Sequence, residues 1–101
     1  MTAALAAGRP VDAATGSVAV DSLAPRRVGD LTFAVVAKHA HSIAGVSDDA
    51  ILAAQRLLWE RLRIVAEPGG CAALAALVCG AYSAEPGEHV AVVLSGANAT
   101  N

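Results

Sequence analysis

Apolar residues recur at helical spacing along much of the chain, and near the end that pattern gives way to an unbroken apolar run. Residues 2–7 predict a short helix or the end of one, stopped by Gly8 and Pro10. Residues 28–38 predict a second. Val28, Leu31, Phe33, Val35 and Val36 form its apolar side, and Asp30 favours the positive end of the helix dipole. Ser47 then offers an N-cap hydroxyl, with Asp48 and Asp49 in the turn that follows. A third helix is predicted from there to about Arg63. Ile51, Ala54, Leu58 and Leu62 make its core stripe, while Gln55, Arg56, Glu60 and Arg63 lie largely outside it. A turn at Glu67-Pro68 leads into a helix over residues 70–82 that is apolar nearly all round. Residues 41–46 and 89–94 predict strands. Residues 11–27 read as loop, with a short piece at Val18-Ala19-Val20 suited to extended backbone.

Two of these elements predict the architecture. Residues 90–94, Val-Ala-Val-Val-Leu, show no alternation, which suits a parallel strand covered on both faces. The 70–82 helix lacks a polar face and so needs cover on more than one side. The 90–94 strand is expected to pair in parallel with residues 41–46 or an immediate neighbour, through right-handed crossovers. The fold class is therefore α/β. The remaining elements are too few to cover both features, so a partner segment is expected.

Composition sharpens this picture. The chain has 101 residues, at most one small domain, and is 55% hydrophobic but only 3% aromatic. Alanine supplies much of the apolar content, and each alanine buries little area, so the core should be weak by itself. The net charge of −2 and the absence of a basic stripe argue against nucleic acid. The apolar run over residues 69–82 is shorter than the about 20 residues a bilayer span takes. With no positive stretch at the N-terminus, a cytoplasmic protein is expected and a membrane partner is not.

Few side chains offer chemistry of their own. Cys71 and Cys79 lie eight positions apart on one predicted helix, about 12 Å of rise. That exceeds the roughly 7 Å a disulfide tolerates, so both are expected as buried small apolar side chains. His39 and His41 have no evident third ligand and are expected at the surface, so no metal site is assigned. Lys38, the only lysine, sits where it meets a helix's negative end. Ser95-Gly96-Ala97-Asn98 follows an apolar strand, the place where open α/β sheets bind ligands. A serine hydroxyl can donate or accept, and Gly96 permits close backbone approach. Taken alone, the motif is a weak signal, and a turn capped by serine and asparagine is the favoured explanation. A simple helix N-terminus likewise explains Glu67-Pro68-Gly69-Gly70.

Order and spacing change that balance. Val28-Gly29-Asp30-Leu31-Thr32-Phe33 is similar to the V/I-G-x-x-T-F helix start of the pyridoxal-phosphate (PLP) dependent serine/threonine dehydratases. Leu58-Trp59-Glu60-Arg61-Leu62 resembles the helix before the acid-proline turn in serine racemase and its relatives. Ala66-Glu67-Pro68, with the glycines and alanines after it, resembles the threonine ammonia-lyase version. Leu94-Ser95-Gly96-Ala97-Asn98 is similar to that enzyme's strand end. The resemblance runs from about Ala3 to Asn98.

The resemblance implies a C-terminal fragment of a three-layer α/β/α domain of the tryptophan synthase beta-like fold. Residues 1–101 would form the C-terminal portion of a PLP-dependent dehydratase domain, without the N-terminal portion that carries the catalytic lysine. It implies Ser95 hydrogen-bonded to the pyridine nitrogen, Glu67 beside the ring or the pocket wall, and Gly96 and Asn98 shaping the same edge. Residues 21–24 would lie near the cofactor face, although the glycine usual there is missing. A neutral serine leaves the ring a weaker electron sink than a carboxylate would, which suits elimination of a β-hydroxyl. Lys38 matches no Schiff-base motif, so no catalytic residue is assigned within the chain. The glycine-rich phosphate loop and the acidic cation ligands would likewise lie upstream. The implied activity is conversion of L-threonine or L-serine to a 2-oxo acid and ammonia, with serine racemase or another dehydratase of the fold still open. The missing N-terminal portion, or a homo-oligomer, would be the partner. Because the chain ends just past Asn98, the short degradative enzymes are favoured over feedback-regulated biosynthetic ones. The rival reading is a non-catalytic remnant, or one half of a split enzyme acting as an interaction module.

Overall fold

A computed structural model of the chain describes residues 1–13 and 27–98. The chain divides into two compact units, Met1–Ile43 and Ala44–Asn101.

In the first unit, helix α1 spans Thr2–Ala7 and is closed by Gly8 in the left-handed conformation. Its Ala4 is buried. Helix α2 spans Asp30–His39, with Asp30 in its first turn and Lys38 and His39 in its last, both charge placements favoured by the helix dipole. The two helices touch. The apolar side expected of α2 is only partly covered: Phe33 and Val36 are half-buried, none of its residues is fully buried, and Leu31 is 79% exposed. Arg27 pairs with Asp12 at 2.9 Å across an exposed surface. The short apolar piece at 18–20 and the cofactor loop expected at 21–24 lie outside the described residues.

The second unit is built on helix α3, Asp48–Leu62. Ser47 caps it as expected, its hydroxyl accepting from the Ala50 N–H at 3.1 Å. Ile51, Ala54 and Leu58 turn inward and are buried, while Leu62, the fourth position of the stripe, is 63% exposed. The helix stops at Leu62, just before the expected Arg63. Arg63 takes a positive φ of 54° and turns the chain out, its guanidinium 5.3 Å from the Trp59 ring. Residues 64–66 then lead to the acid-proline turn.

The helix expected over residues 70–82 is shorter and begins differently. Pro68–Cys71 forms a 3-10 turn, and helix α4 spans only Ala72–Val78. Two adjacent glycines, with their low helix propensity, keep the entry tight. Ala66, Cys71 and Ala75 pack on α3 and complete a small core, flanked by Val46, Ala50, Ala72 and Leu74. Burial pushes the Cys71 thiol up. Cys79 corrects the sequence reading: it lies at the C-terminal end of α4 and is exposed. Tyr82 donates to the carboxylate of Glu88 at 2.6 Å, and that bond raises its phenol above the ordinary tyrosine value.

Neither expected strand is present among the described residues. Residues 42–47 and 89–98 carry no helix, and no hydrogen-bonded ladder forms along them. The expected parallel pairing is therefore absent here. A strand exists only with a partner that takes up its N–H and C=O groups, and an apolar run alone does not supply one.

Candidate cofactor edge

The two motifs singled out in the sequence lie against each other. Glu67 stands at the N-cap of the 3-10 turn with extended backbone, and its N–H donates to the Gly96 carbonyl at 3.0 Å. Gly70, buried in the same turn, approaches so closely that a Cβ there would sit 3.0 Å from the Gly96 carbonyl oxygen and 3.4 Å from the Ser95 nitrogen. Gly96 adopts φ 137°, and a Cβ on it would land on the Glu67 carboxylate. Glu67, Gly70, Ser95 and Gly96 thus form one continuous edge, with the backbone of residues 95–96 running directly over the turn.

The two glycines let the segments pack closely: the Gly96 carbonyl lies where a Cβ on Gly70 would point, and the Glu67 carboxylate occupies the space above Gly96. Ser95 is exposed, and its hydroxyl makes no hydrogen bond among the described residues, which leaves it both a donor and an acceptor. Asn98, three residues further on, is exposed, and its side chain makes no hydrogen bond among the described residues either. The structure therefore brings Glu67, Ser95 and Gly96 together, while no hydrogen bond among the described residues ties the Asn98 side chain to the edge. Lys38 is exposed on α2, and His39 and His41 are exposed as well. Among the described residues, no three His, Cys, Asp or Glu side chains are grouped to hold a metal ion. No helix of the described residues is long and apolar enough to cross a membrane.

Two residues that shape the edge are not evident from sequence. Gly70 reads there only as a helix start, because its contact is with a segment far along the chain. Gln55 falls outside the core stripe, yet it is half-buried, and its side-chain amide donates to the Ala66 carbonyl at 2.7 Å. Its spacing holds the signal: it lies four positions after Ile51 and three before Leu58, on the flank of the buried face.

Comparison with known proteins gives this arrangement relatives. A family model described as pyridoxal-phosphate dependent enzyme matches residues 1–96. The biosynthetic L-threonine dehydratase of Salmonella typhimurium is 43% identical over 101 residues, covering 97% of this chain and 19% of that protein. The chain therefore spans about one-fifth of the length of that curated relative. Among solved structures, the T.th. threonine deaminase aligns with a TM-score of 0.78 at 30% identity, over 98% of this chain and 35% of the other. Serine racemase from Dictyostelium discoideum aligns with a TM-score of 0.82 at 27% identity, over 98% and 31%. The chain shares the tryptophan synthase beta-like fold of these enzymes over the part it represents. The degradative type favoured by sequence finds no support in the Salmonella relative, which is named biosynthetic.

Proposed function

The chain belongs to the pyridoxal-phosphate dependent enzyme family, and from that premise we propose that it is part of an L-threonine dehydratase, which converts its substrate to 2-oxobutanoate and ammonia. The observation that carries the reading is the joined edge of Glu67, Gly70, Ser95 and Gly96. In a complete enzyme Ser95 would hold the pyridine nitrogen of the cofactor through a neutral hydroxyl. Gly70 and Gly96 would let the acid-proline turn and the Ser95 segment pack closely enough to hold that hydroxyl in place, with the Glu67 carboxylate as the wall of the edge and Asn98 further along it. Bound there, pyridoxal phosphate supplies the electron sink that lets the amino acid lose its α-proton and then its β-hydroxyl. L-serine is the alternative substrate, and a cytoplasmic setting suits either.

Residues 1–101 are proposed as the C-terminal portion of a three-layer α/β/α domain, with the cofactor-bearing lysine and the phosphate-binding loop supplied by the rest of the fold. Support comes from coverage of about a third of the solved relatives and from apolar side chains left open to solvent. Val93 is 74% exposed and Val65 is 56% exposed. Those same exposed side chains favour the second reading, an interaction module without catalysis.

The test is 2-oxobutanoate formation. The purified chain with pyridoxal phosphate and L-threonine is expected to give none. One hydroxyl contributes about 0.5–1.5 kcal/mol, whereas even millimolar binding takes about 4 kcal/mol. Mixed with the portion of the Salmonella dehydratase outside the matched segment, it is expected to turn substrate over. Ser95→Ala should then lower turnover by about tenfold. Turnover by the chain alone would contradict the reading, and a silent mixture would favour the interaction module.

A further inference from the structure

We propose that Gln55 is a positioning residue for the cofactor edge. Its side-chain amide donates to the Ala66 carbonyl at 2.7 Å. The same peptide unit presents the Glu67 N–H, which donates to the Gly96 carbonyl at 3.0 Å. One rigid peptide plane is thus held at both ends: helix α3 grips its oxygen, and the segment carrying Ser95 and Gly96 receives its hydrogen. Bonding at the oxygen polarises the peptide and strengthens its N–H as a donor. The orientation of this plane sets where the Glu67 side chain leaves the backbone, and so whether its carboxylate lies over Gly96.

The surroundings favour this role over a chance surface contact. Gln55 is half-buried, and Ala66 is 3% exposed within the small core. The bond joins residues eleven apart in sequence and spans the gap between α3 and the acid-proline turn. A side chain in the middle of α3 thereby fixes the register between the turn and the segment opposite it. That this edge faces a cofactor rests on the function proposed above.

The test uses the full chain and reads backbone amide hydrogen exchange residue by residue. Gln55→Met keeps length and helix propensity and removes the donor. Gln55→Arg restores N–H donors. The Glu67 amide is expected to exchange about two- to tenfold faster in Gln55→Met and to recover in Gln55→Arg. Amides within α3, such as those of Ala54 and Leu58, should hold their protection in both variants. Unchanged exchange at Glu67 in Gln55→Met would overturn the proposal. So would an equal rise at Glu67 and throughout α3, because Gln55 would then be supporting overall stability only. This readout needs no cofactor, so failure of the turnover experiment would sink the function while leaving the exchange result to decide the role of Gln55.

Discussion

Leu58→Ala is expected to unfold most of the second unit. Leu58 is 4% exposed and packs in a cluster whose other buried members are Ile51, Ala54, Ala66, Cys71 and Ala75. Only Ile51 and Leu58 among them are large aliphatic side chains, so the loss falls on one of two. Replacing a buried leucine by alanine costs about 2–5 kcal/mol, through lost transfer free energy and the cavity left behind. Folded domains hold only about 5–15 kcal/mol in all, and a core rich in alanine belongs at the low end. The check is denaturant unfolding followed by fluorescence of Trp59, the only tryptophan. Leu62→Ala is the control: it lies on the same helix and in the same sequence pattern, but is 63% exposed. Its effect should stay within about 0.5 kcal/mol. Equal losses from the two would show that α3 does not bury the face described.

Gly96→Ala is expected to break the candidate edge. At φ 137° an L side chain is strained, at a cost of about 1–3 kcal/mol. The added methyl would also displace the Glu67 carboxylate from its place above residue 96. Gly87→Ala separates these two effects. Its φ of 81° is also positive, but an added Cβ would meet nothing within 4 Å. Both variants should lower the unfolding midpoint, and only Gly96→Ala should shift the resonances of Glu67 and Gly70. Matching spectra at Glu67 in the two variants would mean that the motifs do not touch in solution.

How much of this is legible in the sequence depends on how local the cause is. The cap at Ser47, the first turn of α2 and the inward face of Ile51, Ala54 and Leu58 follow from neighbours a few positions away, and all can be read directly. The pairing of the acid-proline motif with Ser95-Gly96 is legible only as a family resemblance. The spacing of the two motifs says nothing about which backbone atoms meet. Gln55 escapes notice because a polar side chain on the flank of a stripe usually faces water. Leu31 and Leu62 fit their helices' apolar patterns and are nonetheless exposed. Periodicity shows which side of a helix seeks cover, and cover comes from other segments. The strands expected at 41–46 and 89–94 fail for the same reason, since β structure is a property of pairs. Cys79 is misjudged by residue type and helix membership, because α4 stops before it.

The most direct measurement is the structure of the chain joined with the remaining portion of a threonine dehydratase and bound to pyridoxal phosphate. The Ser95 hydroxyl oxygen is predicted to lie about 2.7–3.2 Å from the pyridine nitrogen, within hydrogen-bond reach. The bond from the Glu67 N–H to the Gly96 carbonyl should be retained beside it. A cofactor whose ring nitrogen faces another residue, or a ring held away from residues 95–96, would contradict the assignment of this edge.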